Sequence, residues 1–466
     1  MNFTIKNTLI NVTDSYITTD VQIVNGQITT IAPNLEIIGT EINGENKLLL
    51  PGFFNAHTHS SEIWQRGVIP PLPLELWLAH LYDFTPLDPE QVYLSALGTA
   101  AETLLSGGTS VVDHLVLIPG QELETIATAV RAYQEIGIRA FIAPLIQDES
   151  LSASIPNGKS DLNYEPYFRS TSEPLAIIET AIKQFHNPEA GINILVAPTG
   201  IQLCSDDLFT GCIALSNKYH LCRHSHLLET KAQEKLAEEK YGCSAVQHLQ
   251  ELGFLNKSTT LAHCVWLNET DINILAQTQA TVVHNPLSNL RLGSGIAPII
   301  KYLQAGVNVT FGCDGASSND SQDLLEAIKI GSILHNVTEP DYHNWITPRQ
   351  AIEMASLGGA KGLNLENELG SLTVGKKADL VLYDLNNLSL LPRTDPIGLL
   401  VLGRPVNVVN SAWVNGKQII RNGEISTTNI DELKQELFNR SYWERQPQSP
   451  NVANLAPHYR RVMGLN

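Results

Sequence analysis

Between residues 51 and 367 short apolar runs alternate with helical patterns, and this alternation restricts the fold more than any other feature of the chain. The runs are FFNAHTH (53–59), TSVVDH (109–114), RAFIAPL (139–145), INILVAPT (192–199), LCRHSHLLE (221–229), TLAHCV (260–265), TVVHNP (281–286) and VTFGCDG (309–315). They have the length of strands and are rich in Val, Ile, Leu or Phe. Helical stretches such as PEQVYLSALGTAAETLLSGG, TKAQEKLAEEKYG and QDLLEAIKIGSILHNV lie between most of them, each ending near Gly or a polar turn. Eight strands alternating with helices are the sequence form of an α/β fold, the (β/α)8 TIM barrel, although a doubly wound sheet shares the periodicity. Polar placement favours the barrel, whose reactive groups collect at the C-terminal strand ends. Here those ends carry His57 and His59, His114, Thr199, His226 and Glu229, His263, His284, and Asp314.

The two ends of the chain read differently. Residues 1–50 hold short strand patterns and an Asn-Gly hairpin signal, and the same grammar returns in ADLVLYDL (378–385) and SAWVNGKQIIRNGEI (411–425). The expected organisation is therefore a small β-sandwich from residues 1–50 and 368–426, a barrel over 51–367, and a helical tail from 427 to 466. The tail's amphipathic IDELKQELFNRSYWERQ is expected to pack on a surface or on a neighbouring subunit, which leaves a homo-oligomer open.

Charge narrows the partners. A formal net charge of −18 leaves no basic field for phosphates, so nucleic acid and anionic membrane are poor partners and a small molecule is the better one. The N-terminus lacks the apolar core of a signal peptide, and no run of about 18 apolar residues exists, which points to the cytoplasm. Six scattered cysteines without a CxxC pair read as small buried hydrophobes.

In PGFFNAHTHS, His57 and His59 sit at i and i+2 of a strand, on one side and roughly 6–7 Å apart, a spacing that suits a shared metal ion. His226 and Asp314 at two other strand ends complete a His₃Asp set. Zinc takes such nitrogen and carboxylate ligands, with one position left for water, and Fe²⁺ or Mn²⁺ also fits. Glu229, three residues beyond His226, is placed to face that water without being a ligand, and His263 to hydrogen-bond it with Asp314 helping to take its proton. Together they form a set for metal-assisted hydrolysis. Each residue also has a plainer role: Glu229 as the acidic start of a helix, His263 as a core histidine, Asp314 as a cap. His114, His224 and His284 are read as structural.

The runs PGFFNAHTHS, HSHLLET, LAHCVWL, HNPLSNLRLGSGIAP, FGCDGASSND and GSLTVGKKADLVLYD closely resemble the amidohydrolase superfamily, nearest to its cytosine deaminase, triazine hydrolase and methylthioadenosine/S-adenosylhomocysteine deaminase group. The resemblance implies a barrel with a β-sandwich, metal ligands at His57, His59, His226 and Asp314, a proton-shuttling Glu229 and a water-orienting His263. Strand four ends VAPTG, without the lysine that two-metal members carboxylate, so it implies one divalent ion. It further implies an aminohydrolase that releases ammonia from a purine, pyrimidine, pterin or triazine. A chlorohydrolase, an alkylamine-releasing hydrolase or a cyclic amidase would use the same site, and a non-catalytic scaffold would have lost the ligands.

Trp77 matches the tryptophan that adenosine-type members place beside substrate. Two departures weaken a nucleoside reading: FTPLDP lacks their ribose-binding glutamate, and Thr199 stands where they carry histidine. The residues expected to read the ring are Trp77, Thr199, Gln202 and Asn289.

Overall fold

All eight apolar runs form strands in the computed structural model, which describes residues 1–13, 15–83, 87–156, 170–441 and 449–465. They are β1 (Phe53–Thr58), β2 (Gly108–Asp113), β3 (Arg139–Ile142), β4 (Ile192–Ile194), β5 (Arg223–Leu227), β6 (Thr259–His263), β7 (Thr281–His284) and β8 (Val309–Phe311). β1 to β4 pair in sequence order as one parallel sheet and β5 to β8 as a second. The short pair Leu145–Ile146 and Ala197–Pro198 prolongs β3 and β4.

Successive residues of a strand enter different cores, as the two-residue period of an extended chain requires. Phe53, Val111, Ala140, Ile194 and Val282 pack outward against helices. Their neighbours Phe54, Val112, Phe141, Leu195 and Val283 share one inner cluster, to which both sheets contribute. Both faces are covered, which explains why these strands read as continuous apolar runs and not as alternating ones.

The two sheets also meet at both margins. A parallel bridge links Val196 to Arg223. At the other margin the Asp314 N–H donates to the His57 carbonyl at 2.9 Å and the Cys313 N–H to Asn55 Oδ1 at 2.9 Å. Gly312 permits this approach, since a Cβ there would lie 2.3 Å from Asn285 Oδ1 and 2.9 Å from His57 Cβ.

Both ends of the chain build one nine-stranded sheet. Its seam is Leu380–Asp384, antiparallel to Lys47–Pro51 with Leu382 opposite Leu49. Phe3 stacks on Trp413 with ring centroids 5.2 Å apart inside a core drawn from both termini. The Asn25-Gly26 and Asn415-Gly416 hairpins anticipated from sequence both hold left-handed backbone at their two central residues, the conformation that Asn and Gly tolerate.

Among the described residues of the tail, helix Ile430–Asn439 is followed by a second, Pro450–Val462. Pro450 occupies the first turn, where its missing N–H costs nothing, and Ser449 Oγ accepts from the Val452 N–H at 3.0 Å. Leu455 and Tyr459 pack against Leu76 and Ala79 of helix Leu74–Leu81, so this helix covers its own chain.

Candidate active site

The site residues stand where the strands stop. His59 lies directly after β1, His226 near the end of β5 and His263 at the last position of β6, while Glu229 and Asp314 follow β5 and β8 by two and three residues. Leu228, His263, Cys264 and Asp314 have φ of 44°, 73°, 49° and 63°, a region that non-glycine residues seldom occupy and that costs about 1–3 kcal/mol each. These turns end the ladders earlier than the apolar pattern predicts and swing the polar side chains over the strand ends.

The imidazole tautomers follow from hydrogen bonding. Thr260 Oγ1 donates to the Arg223 carbonyl at 3.2 Å, so it accepts from His224 Nδ1 at 2.7 Å, and His224 Nε2 then accepts from His57 Nδ1 at 2.8 Å. His59 Nδ1 donates to the His114 carbonyl and His226 Nδ1 to the Thr199 carbonyl, each at 2.7 Å. With all three Nδ1 atoms protonated, the three Nε2 atoms carry lone pairs. Those of His59 and His226 face each other at 3.2 Å, and that of His57 is buried with no hydrogen-bond partner. Asp314 Oδ1 lies 3.3 Å from His57 Nε2 and 3.5 Å from His59 Nε2.

Lone pairs and a carboxylate converging without a proton between them repel one another unless a cation is present, so the donor set fits a divalent ion. Ligand atoms of His57, His59, His114 and His226 all lie within 4.8 Å of one another, as do those of His57, His263 and Asp314. Titration agrees. Burial and the neighbouring imidazoles hold His226 below the usual histidine value, and burial lowers His57 despite Asp314. Burial alone would raise Asp314, yet its close approach to the His57, His263 and His59 imidazoles holds it well below the carboxylate range. His59 is raised, because the Glu62 and Asp314 carboxylates outweigh its burial, a sign of negative charge that a cation would answer.

Glu229 is 3% exposed; burial, reinforced by Asp314, pushes its carboxyl well above the usual range. Ser294 Oγ donates to its Oε1 at 3.1 Å, and its Oε2 stands 3.5 Å from His263 Nε2. His263 Nδ1 donates to Asn289 Oδ1 at 2.9 Å, leaving Nε2 toward Glu229 and, at 3.8 Å, Asp314 Oδ2. A cavity of about 300 Å³ opens over this group. His59, His226, Glu229, His263 and Asp314 line it together with Trp77, Thr199 and Gln202. Asn289 is not among the described residues on its wall and instead fixes the His263 ring.

Four residues were missed as site components. His224, read as structural, fixes His57, and His114, read the same way, stands within the ligand cluster with its Nδ1 unpartnered. Asp113 accepts from Ser60 N and Oγ and from the Tyr133 hydroxyl, locking the segment after His59. Glu62 lines the cavity, and burial pushes its carboxyl up to about 7. Two of them carried a signal: His114 in its position at a strand end, and His224 in its i, i+2 spacing from His226. Of FTPLDP, residues 84–86 lie outside the described residues.

Comparison with known proteins bears on this geometry. Residues 48–419 match the model of the amidohydrolase family. The chain belongs to the amidohydrolase family. This amidohydrolase is 32% identical over 403 residues to the 5-methylthioadenosine/S-adenosylhomocysteine deaminase of Caldanaerobacter subterraneus subsp. tengcongensis, covering 86% of this chain and 87% of that protein. Its fold matches a zinc complex of an atrazine chlorohydrolase from Arthrobacter aurescens TC1 with a TM-score of 0.85 at 23% identity, over 94% of this chain and 99% of that one. It also matches a zinc-bound adenosine deaminase from Xanthomonas campestris, with a TM-score of 0.84 at 25% identity over 94% and 97% of the two chains. The amidohydrolase is thus an enzyme that hydrolyses carbon–nitrogen bonds, and its fold is the mixed α/β fold of these proteins. Among the described residues no helix is long and apolar enough to cross a membrane.

Proposed function

We propose that this amidohydrolase is a deaminase that uses one divalent ion, zinc first among the candidates, to release ammonia from an amino-substituted N-heterocycle. His57, His59, His226 and Asp314 hold the ion in this reading, which is supported by the three lone pairs that converge beside Asp314. A bound divalent ion supplies the Lewis acidity that makes water a nucleophile near neutral pH.

The chain's own groups do the rest. His263, its ring fixed by Asn289, and Asp314 hydrogen-bond the attacking water and orient it toward the amine-bearing carbon. Glu229 takes a proton from that water and delivers it to a ring nitrogen; Asp314 then helps pass the remaining proton of the added hydroxyl to the exocyclic amine, which departs as ammonia while the carbon becomes a carbonyl. Burial suits Glu229 to this exchange, since a carboxyl whose pKa is raised holds a proton more readily than an exposed one and hands it on to a ring nitrogen. Trp77, Thr199 and Gln202 shape the cavity against the ring. The observation that carries the proposal is Glu229, buried and anchored by Ser294, beside His263 in the same cavity as the imidazole cluster.

The architecture is read accordingly as a (β/α)8 barrel over 51–367 and a β-sandwich from 1–50 and 368–426, with 427–466 as a tail. The inner cluster shared by both parallel sheets and their contacts at both margins support the barrel. The deaminase names of its relatives favour purine-type rings, and the reading places the enzyme in the cytoplasm with a small-molecule partner.

The test is ammonia release from a panel of amino-purines, pterins, pyrimidines and triazines by metal-loaded protein. Ammonia from at least one ring is expected. Chloride or alkylamine release without ammonia from any ring would overturn the deaminase reading.

A further inference from the structure

Glu62 has no part in the chemistry above, yet it is 4% exposed on the wall of the same cavity as Glu229. Its seat is built. Ser317 donates to Oε2 from its hydroxyl at 2.6 Å and from its backbone N–H at 3.3 Å, while Oε1 has no hydrogen-bond partner among the described residues. The Trp77 indole N–H holds the same turn by donating to the Ser317 carbonyl at 3.2 Å. Gly315 makes the space: a Cβ there would lie 1.8 Å from Glu62 Oε2 and 2.8 Å from Oε1. Gly315 is not among the residues with positive φ, so it answers to the carboxylate and not to backbone twist.

A buried carboxylate is costly unless its oxygens are satisfied, and among the described residues no lysine or arginine pairs with Glu62. Ser317 satisfies one oxygen. The other is left on a wall whose remaining surface is largely aliphatic, including Leu74, Leu78 and Leu292. Above its raised pKa of about 7 the ionised carboxylate only accepts hydrogen bonds, so its complement there is an N–H and not a ring lone pair.

We infer that Glu62 is a specificity-determining residue: through Oε1 it accepts a hydrogen bond from a ring N–H, so the site takes heterocycles with a lactam-type N–H in preference to their N-alkylated forms. This deepens, and rests on, the reading of the cavity as a heterocycle site. Such a group also separates substrates more sharply than aliphatic packing does, because an N-alkylated ring leaves the buried oxygen unpaired.

The test is calorimetric binding of uracil, xanthine and lumazine, each beside its ring-N-methylated counterparts, to metal-loaded parent, Glu62→Gln and Glu62→Ala proteins. The parent is expected to bind at least one lactam roughly 10- to 100-fold more tightly than its N-methyl form. Glu62→Ala should bring that ratio to within about threefold, and Glu62→Gln, whose amide oxygen still accepts, should keep part of it. A merely structural role would not move the ratio. Equal binding of lactam and N-methyl forms by the parent would overturn the inference, as would an unchanged ratio in Glu62→Ala or, if that variant does not fold, a ratio below about threefold in the Gln variant. Ammonia release with a ratio that ignores Glu62 would sink this inference alone. A Glu62-dependent ratio without ammonia from any amino-heterocycle would sink the deaminase reading and leave this one standing.

Discussion

Two buried polar clusters in this chain are made of similar groups and end in opposite states. Where β3 begins, Arg139 donates from Nε to Asp379 Oδ2 at 2.8 Å and from Nη2 to Oδ1 at 3.0 Å; the Asn415 side chain and backbone complete the set at 3.0 and 2.7 Å. Charge meets charge there, and the cluster joins the parallel strands to the nine-stranded sheet without needing anything further. At the other cluster, over the C-terminal strand ends, every Nδ1 of the three histidines among the proposed ligands is satisfied while the Nε2 atoms face one another and Asp314. The closed cluster holds the fold, and the open one is completed only by a ligand. The comparison shows that burial alone does not mark a functional site; burial with the hydrogen-bond complement left unfinished does.

Substitutions should separate the two. In the open cluster, Glu229→Gln is expected to slow turnover on the order of 10²- to 10⁴-fold with metal content and melting temperature unchanged, measured by steady-state kinetics and elemental analysis. A normal rate would remove Glu229 from the mechanism. In the closed cluster, Asp379→Ala strands a buried guanidinium and should cost about 3–5 kcal/mol in denaturant unfolding while activity below the transition persists. Equal loss of both properties in both variants would dissolve the distinction.

Smaller effects sharpen it. His224→Ala removes the acceptor that fixes His57, and metal affinity is expected to fall about 10- to 100-fold in competition with a chelator. Glu75 tests burial without metal: it is 2% exposed, and desolvation raises its carboxyl although the Thr230 hydroxyl lowers it in part. Its folded pKa lies above the unfolded value of about 4.3, so the unfolded chain ionises first and the group's contribution to stability is lost as pH rises through the folded value. Glutamine does not titrate. The stability of Glu75→Gln relative to the parent should therefore improve as pH rises above the unfolded value of about 4.3, read from melting temperatures, and a pH-independent difference would contradict the assignment.

The eight strands were legible because parallel strands covered on both faces read as unbroken apolar runs. Their ends were less so, since the turns at Leu228, His263 and Asp314 depend on left-handed backbone that side-chain pattern does not encode. The family resemblance named the proposed ligands residue by residue. The residues around them escaped because they act across strands: His224 meets His57 only when β5 and β1 look onto one site, and Glu62 finds Ser317 across 255 residues of sequence. Asn289 illustrates the converse. Its motif suggested contact with the ring, whereas its amide turns to His263.

Elemental analysis of protein purified without chelators is the sharpest check on the metal centre. One divalent ion per chain is expected in the parent and none in His226→Ala, with acidification releasing the ion as the imidazoles take up protons. A parent preparation that binds no divalent ion when supplied with one, or a His226→Ala protein that keeps the parent's full complement, would contradict the proposed ligand set.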